Sequence, residues 1–344
     1  MIYINLLIIF LLIITIHEFG HYIAARLFKA DVTVFSIGFG KSIYEFIDKN
    51  RTIWKICLIP LGGYVKIKGL DNIFQKNELK KPDLGTFQSL SYIKKIIILL
   101  AGSIFNILSA WICLFFILFF FGIVTFSNEV GNVSKNSPAD INDIRQGDRI
   151  ISVDNIITQE FNDIIKALDS KKKIELKILR KNVILEKNFE LEFNNELKRY
   201  IVGITSTNNP IINKYLFLKS LSESFYFIPN YYIETFDYLK KSLINNTLSK
   251  EISGPIGMVK MADQLMLDKI KGILFLFIMI SLFVGMFNLL PIPLLDGGHI
   301  VYFSLRSLFS NSLPYMITKI YLLIGVSIIS FLFIFITLND IFYK

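Results

Sequence analysis

Two histidines and a glutamate in this sequence have a spacing that suits metal chemistry. His17, Glu18 and His21 lie in the run His-Glu-Phe-Gly-His. On a helix, residues four apart share one face, so both imidazoles can reach a single ion. Zinc lowers the pKa of a bound water to about 7, and a neighbouring carboxylate can accept a proton from it. The run therefore predicts a hydrolytic zinc site with His17 and His21 as ligands and Glu18 as the base.

A simpler interpretation is that both histidines lie at the end of an apolar helix and reach toward lipid headgroups. The chain has only three histidines, and two of them flank a glutamate at this spacing. Ionisable groups within a membrane span are costly and usually functional. The composition therefore favours the metal site.

A third zinc ligand is expected, because catalytic zinc usually has three protein ligands and one open position. The best candidates are Asp296 and His299, in the run Asn288-Leu-Leu-Pro-Ile-Pro-Leu-Leu-Asp-Gly-Gly-His. Pro291 and Pro293 interrupt a helix there, and irregular backbone at membrane depth is tolerated where it lines a cavity. The alternative is an ordinary interfacial turn, since Asp-Gly-Gly is common turn chemistry.

The elements that must position these residues are membrane spans. Hydrophobic residues make up 53% of the chain and occur in blocks, which indicates an integral membrane protein. Four blocks are long enough to cross a bilayer. They run from about Ile2 to Phe28, Ile96 to Phe126, Ile273 to Ile292, and Ile317 to Leu338.

Basic residues near the span ends predict the orientation. Lys29, Lys94 and Lys95 flank the loop between spans one and two, and Arg306 and Lys319 mark the loop between spans three and four. Because cytoplasmic loops are rich in Lys and Arg, we expect both loops in the cytoplasm and both termini outside. Two lysines before the third span oppose this orientation. We interpret the net charge of +9 as solvated or lipid-facing, and not as a nucleic-acid surface.

The segments between the spans predict two further structured regions and a linker. Strand-like stretches with glycines predict β-structure between Asp31 and Gly69, and short strand-like runs predict a small soluble domain from Glu129 to about Thr207. The stretch from Asn208 to Lys271 mixes apolar and charged residues and is expected to lie on the membrane as amphipathic helix. The predicted regions are 1–28, 29–95, 96–126, 127–207, 208–271, 272–295 and 317–338.

The paired motifs resemble the site-2 protease family of intramembrane zinc metalloproteases, and within it the regulator-of-sigma-E branch. His-Glu-x-x-His in a first span joined to Asn-x-x-Pro-x-Pro-x-x-Asp-Gly-Gly in a late span carries this resemblance, which extends over nearly the whole chain. The resemblance implies one Zn²⁺ per chain, with Asp296 as the third ligand. It also implies that Asn288 binds the substrate backbone.

Two other segments share features with that family. The run Ala101-Gly-Ser-Ile-Phe-Asn106 resembles the second-span motif, which implies a substrate-binding role for Asn106, with close helix packing as the alternative for Gly102. Gly62 and Gly63 match a membrane-associated β-hairpin whose edge strand pairs with extended substrate. Strand pairing suits the chemistry, because a transmembrane helix must unwind before its amides can be cleaved.

The soluble region resembles a PDZ domain. Ser137-Pro-Ala, Gly147-Asp-Arg-Ile and Val153-Asp follow that pattern, and Arg180 fits its late strand. The usual Ala-Gly-Leu is replaced by Asn142-Asp-Ile, which weakens the expectation of an intact peptide groove. The alternative is another small β-rich domain.

Together these features predict a polytopic α-helical membrane protein of about four transmembrane helices, with a membrane-associated β-hairpin region and one small β-rich PDZ-like domain. The expected activity is intramembrane zinc endopeptidase cleavage of single-span membrane proteins or remnant signal peptides, as in regulated intramembrane proteolysis. We expect a bacterial inner-membrane location, contact with membrane lipid, and the PDZ-like domain outside. The alternatives are an inactive membrane PDZ scaffold with a structural zinc, and a metal transporter. The transporter is disfavoured because no internal repeat is evident.

Overall fold

The computed structural model describes residues 2–70, 83–168, 171–194, 199–207, 210–244, 269–308 and 314–343. The chain forms two compact units. One contains Met1–Ile117 and Leu218–Lys344, and the other contains Leu118–Phe217. The larger unit carries the predicted chemistry, and each unit is described separately below.

Eight α-helices occur in the described residues. They are α1 (Ile2–Leu27), α2 (Tyr92–Phe116), α3 (Pro138–Ile141), α4 (Phe161–Leu168), α5 (Phe217–Ile244), α6 (Lys269–Asn288), α7 (Asp296–Leu308) and α8 (Tyr315–Tyr343). Helix α2 continues as a π-helix over Ile117–Phe121.

Four of these helices are long and apolar enough to cross a membrane, as the sequence predicted. The candidate spans are Ile4–Leu27, Tyr92–Phe121, Ile270–Asn288 and Tyr315–Asn339. The third ends at Asn288, before Pro291, because proline cannot continue the helical hydrogen-bond pattern.

The strands are β1 (Val32–Ile47), β2 (Ile53–Ile67), β3 (Ile123–Phe126), β4 (Val130–Val133), β5 (Arg149–Val153), β6 (Ile156–Ile157), β7 (Lys173–Arg180), β8 (Val183–Glu190), β9 (Glu192–Asn194), β10 (Arg199–Ile201), β11 (Ile204–Ser206) and β12 (Pro210–Asn213).

Close packing joins the helices around the predicted site. A Cβ added at Gly20 of α1 would lie 2.5 Å from the carbonyl oxygen of Ala101 on α2, so the two backbones approach closely. Gly285 of α6 has the same role, with Ser103 O of α2 at 3.2 Å from its added Cβ. Small residues at helix contacts allow this approach in membranes. Helix α2 therefore lies between α1 and α6.

The β1–β2 hairpin folds back on itself. Phe35 lies opposite Val65 on one side and Trp54 on the other, while Trp54 also lies opposite Phe46. Each long strand therefore contributes two segments to the sheet, 32–37 and 44–47 from β1 and 53–57 and 63–67 from β2. Across the sheet the segments follow the order 44–47, 53–57, 32–37, 63–67. Gly38 of β1, where the direction changes, has a φ of 85°, a backbone conformation that glycine adopts readily. The segment 63–67 is consequently an edge of this sheet.

Unit Leu118–Phe217 is β-rich. Strands β6, β5, β7 and β8 form an antiparallel sheet in that order, over a core that includes Ile150, Leu176 and Ile178. Arg180 of β7 donates to both carboxylate oxygens of buried Asp148, at 2.7 and 2.8 Å. These hydrogen bonds raise the pKa of the Arg180 guanidinium above its ordinary value.

The loop that departs from the PDZ pattern has a defined structure. Asp143 has a positive φ of 57°, and its carboxylate accepts hydrogen bonds from Arg145 and Arg180. Ile144 is buried in the core. The altered residues therefore contribute to packing and to the arginine network.

Helix α5 lies within the region predicted to be amphipathic. It is not one of the candidate spans, and its exposed residues include both aromatic and charged side chains. The hydroxyl of Tyr232 donates to Leu282 O of α6 at 3.1 Å. Residues 245–268 of the predicted region lie outside the described residues.

Candidate metal centre

Helix α1 places both predicted histidine ligands on one face. His17 and His21 are each 7% exposed, and their Nε2 atoms lie 3.2 Å apart. This is the consequence of the i, i+4 spacing on a regular helix. Two nitrogen atoms that can bind a metal therefore face the same point.

Asp296 reaches that point from another part of the chain. It is the first residue of α7 and follows the proline-interrupted loop after α6. Its Oδ2 atom lies 3.0 Å from His17 Nε2 and 3.4 Å from His21 Nε2. Added Cβ atoms at Gly297 and Gly298 would overlap carbonyl oxygens of Leu289 and Ile292. The two glycines thus let the loop fold tightly against the start of α7.

The three donor atoms fit a zinc ion. Ligands at about 2.1 Å from a tetrahedral zinc lie roughly 3.4 Å apart, close to the separations of 3.0, 3.2 and 3.4 Å in this triangle. Asp296 Oδ2 is buried and faces the two imidazole nitrogens without a well-formed hydrogen bond among the described residues, as expected for an oxygen that faces a cation. These residues form the one group of this kind identified in the described ranges.

Helix α2 leaves room for the ion. A Cβ added at Gly102 would overlap His21 Nε2 and lie 2.7 Å from His17 Nε2. Any larger residue would therefore fill the space beside the two nitrogens. Glycine at this position keeps that space open.

Glu18 lies in the same cavity as the donor triangle. The cavity has a volume of about 280 Å³, and its lining includes His17, Glu18, His21, Asn288, Asp296 and His299. The backbone N–H of Val65, in the edge segment of β2, donates to Glu18 Oε2 at 2.9 Å. The carboxylate is thus oriented beside the site without being one of the three clustered donors.

Comparison with known proteins identifies the family. The profile of peptidase family M50 matches residues 5–332. A Rickettsia conorii protein is 34% identical, with 96% of this chain and 95% of the relative covered. A Campylobacter jejuni protein is 31% identical, with 96% and 90% covered. Both bear names that assign them to the zinc metalloproteases.

This chain belongs to peptidase family M50. The family is that of the site-2 proteases, as the paired motifs predicted, and the chain is a membrane zinc metalloprotease. Among solved structures, a PDZ domain of an SdrC-like protein from Listeria innocua covers 25% of this chain and 96% of its own length, at 19% identity and a TM-score of 0.22. That likeness is too low to assign the β-rich unit of this M50 peptidase to the PDZ fold.

The remaining predicted site residues of the M50 peptidase differ in whether they line the cavity. Asn288 lines the cavity, as do Val65 and Ile67 of β2. Gly63 is the first residue of the edge segment 63–67 and Gly62 directly precedes it, but neither glycine is among the lining residues. Asn106 is fully buried against His17 and is not among the lining residues of the cavity, and its predicted contact with substrate stays a prediction.

Sequence reasoning missed two contributors to the site. Val65 donates through its backbone, so its side-chain type carries no signal of that contact. Ile98 contributes only its carbonyl oxygen, 2.8 Å from His21 Nδ1. The one available hint was the position of Val65 directly after the Gly62-Gly63-Tyr64 run.

Proposed function

We propose that this M50 peptidase hydrolyses peptide bonds at a zinc site within the bilayer. The observation that carries the proposal is the buried donor triangle of His17, His21 and Asp296, with separations of 3.0 to 3.4 Å, beside Glu18 in one cavity. Two donors belong to the first candidate span, and the third follows the end of the third span. Regulated intramembrane proteolysis is the process that such a site would serve.

In this proposal His17, His21 and Asp296 hold one zinc ion per chain. When bound, zinc supplies a Lewis acid that activates water and polarises the scissile carbonyl. Glu18 accepts a proton from the attacking water through its carboxylate and delivers it to the leaving amine nitrogen. The N–H of Val65 orients that carboxylate, and apolar residues of the surrounding spans limit the access of bulk water.

The substrate is proposed to bind as an extended strand along segment 63–67 of β2. This segment is a sheet edge, and two of its residues line the cavity. Main-chain hydrogen bonds to an edge stabilise an unwound peptide. Gly62 and Gly63 would permit close approach of the substrate. Asn288, the first residue of the Asn-x-x-Pro-x-Pro run, would bind the substrate backbone.

The proposed substrates are single-span membrane proteins or remnant signal peptides, cleaved at or near their transmembrane segments. The proposed location is the bacterial inner membrane, with the β-rich unit on the external side, as the basic loop residues indicate. We assign this unit a PDZ-like role as a size filter or docking site. An inactive scaffold with a structural zinc has less support, because such a site needs no carboxylate beside it.

Cleavage of a single-span model substrate by the purified protein tests this function. We expect cleavage that a zinc chelator abolishes and added zinc restores. Glu18→Gln should abolish cleavage and retain bound zinc, because it removes a proton acceptor and no ligand. Metal analysis of the same sample provides the control, and full activity of this variant would exclude the assigned role of Glu18.

A further inference from the structure

One face of α2 contacts both imidazoles of the metal centre. Ile98, Gly102 and Asn106 are spaced four residues apart, so they lie on the same side of the helix. Ile98 O is 2.8 Å from His21 Nδ1, and Asn106 Nδ2 is 3.3 Å from His17 Nδ1. Gly102 leaves space between them, beside the Nε2 atoms. The helix thus meets each ring at the nitrogen that faces away from the donor triangle.

The outer nitrogen of each ring determines whether the inner one can bind a metal. A neutral imidazole carries its hydrogen on only one nitrogen. If Nε2 binds zinc, Nδ1 carries the hydrogen and needs an acceptor. The carbonyl oxygen of Ile98 is such an acceptor for His21. His17 faces the amide group of Asn106 instead.

The orientation of the Asn106 amide leaves one polar atom without a partner. Asn106 is fully buried, and its Oδ1 atom has no hydrogen-bond partner among the described residues. In this orientation Nδ2 faces a ring nitrogen that must also be a donor when zinc binds to Nε2. A half-turn of the amide exchanges Oδ1 and Nδ2, which are similar in size. The exchange would give Oδ1 a partner and the His17 Nδ1–H an acceptor.

We infer that Asn106 is a positioning residue for zinc, whose Oδ1 accepts a hydrogen bond from His17 Nδ1–H. This inference rests on the proposed role of His17 as a ligand. The hydrogen bond fixes the ring orientation and keeps the hydrogen off Nε2, so that Nε2 is free to bind the ion. Outer partners of this kind commonly contribute about 10–100-fold to metal affinity.

The surroundings of Asn106 enclose it beside His17. Ser281 of α6 donates through Oγ to the backbone oxygen of Asn106 at 2.9 Å. A Cβ added at Gly285 would lie 3.5 Å from the Asn106 Cβ. Helix α6 therefore packs against Asn106, in addition to the contact that α1 makes through His17. A buried residue in this position faces the metal centre through the histidine that it contacts.

Zinc affinity of the full-length protein tests the inference. Asn106→Leu has a similar size but no acceptor, and Asn106→Asp retains an acceptor oxygen. Competition against a chelator of known affinity should show that Asn106→Leu weakens zinc binding about 10–100-fold, while Asn106→Asp binds at least as tightly as the wild type. Leu108→Ala, at an exposed position of α2, is the matched control and should leave zinc affinity unchanged.

The absorption spectrum of the cobalt-loaded protein gives a second readout, because a misoriented His17 alters the ligand field. We expect a changed spectrum for Asn106→Leu and a wild-type spectrum for Asn106→Asp. If Asn106→Leu does not fold, as judged from the melting temperature of the metal-free protein, Asn106→Ala allows the same comparison with less crowding.

Three results would overturn the inference. Wild-type zinc affinity with a raised KM in Asn106→Leu would indicate a substrate contact. Equal losses of zinc affinity in Asn106→Leu and Asn106→Asp would indicate a packing role alone. Undiminished zinc content in His17→Ala would instead show that His17 is not a ligand. That result would contradict the proposed function, so the failure of the proposed function can be distinguished from the failure of this inference alone.

Discussion

At the scale of single residues, the third ligand is the assignment that most needs a direct test. Asp296 and His299 both line the cavity, but Asp296 belongs to the donor cluster and His299 does not. We expect Asp296→Asn to lose activity and most of its zinc, a larger loss than the roughly 100-fold that an outer partner can cost. His299→Ala should keep its zinc and its activity.

The measurement is zinc content after dialysis against a weak chelator, together with cleavage of the model substrate. Each variant serves as the control for the other, because both lie in the first turn of α7. Loss of metal from His299→Ala alone would reverse the ligand assignment.

How much of the site could be predicted differs from residue to residue. His17, Glu18 and His21 are close in sequence, so helix periodicity alone predicts a common face. Spacing leaves Asp296 and His299 as alternatives for the third ligand. Only the fold shows that the Asp296 carboxylate is the group close to the two Nε2 atoms. The contacts made by Val65 and Ile98 come from the backbone, which has the same chemistry in every sequence position.

At the scale of elements, α8 packs against the start of α7, where Asp296 lies, and against the loop before it. The hydroxyl of Tyr321 donates to Gly298 O at 2.8 Å. An added Cβ at Gly325 would overlap the carbonyl oxygen of Pro293 and lie 2.5 Å from its Cβ. Helix α8 itself contributes no donor to the triangle, so its effect on zinc must be transmitted through this loop.

Substitutions in α8 should therefore change zinc affinity in a graded way. Tyr321→Phe removes one hydrogen bond, worth about 0.6 kcal/mol in a membrane protein, or roughly threefold in affinity. Gly325→Ala forces the loop to shift, and overpacking typically costs about 1–3 kcal/mol, so we expect a loss of roughly 5- to 150-fold. Chelator competition measures both values.

Ser327→Ala is a suitable control because Ser327 is an exposed residue of α8. It should bind zinc as the wild type does. Wild-type affinity in Gly325→Ala would show that the loop holds Asp296 in place without support from α8.

The elements also show where sequence patterns stop being informative. Long apolar blocks predicted four spanning helices because length and hydropathy alone identify them. The fold-back of the β1–β2 hairpin was not predictable, since Phe35 has two strand partners in distant parts of the sequence. Which segment becomes the free edge beside Glu18 depends on that double pairing.

At the scale of the whole molecule, the proposed ligands and base all belong to one compact unit, and the β-rich unit spans Leu118–Phe217. Strand β3, near the start of the β-rich unit in the sequence, pairs with β12, near its end. The hydroxyl oxygens of Ser127 and Thr207 lie 3.3 Å apart there. The two chain ends could therefore be joined by a short Gly-Ser linker after residues 128–206 are deleted, with the β3–β12 pair retained.

This deletion should leave the zinc site assembled, because no residue of the donor triangle is removed. We expect wild-type zinc content and continued cleavage of short single-span substrates. If the β-rich unit acts as a size filter, substrates with bulky outer domains should also be cleaved, so the ratio of long to short substrate cleavage should rise. We favour the filter over docking because the Asn142-Asp-Ile loop departs from the peptide-binding pattern, and exclusion requires bulk and not a groove.

The measurement is that ratio in full-length and deleted protein, with Glu18→Gln in both backgrounds to account for contaminating proteases. A fall in cleavage of every substrate at normal zinc content would indicate that the unit delivers substrate. An unchanged ratio would remove the support for filtering, because a unit that excludes by its size must alter the selection when it is absent.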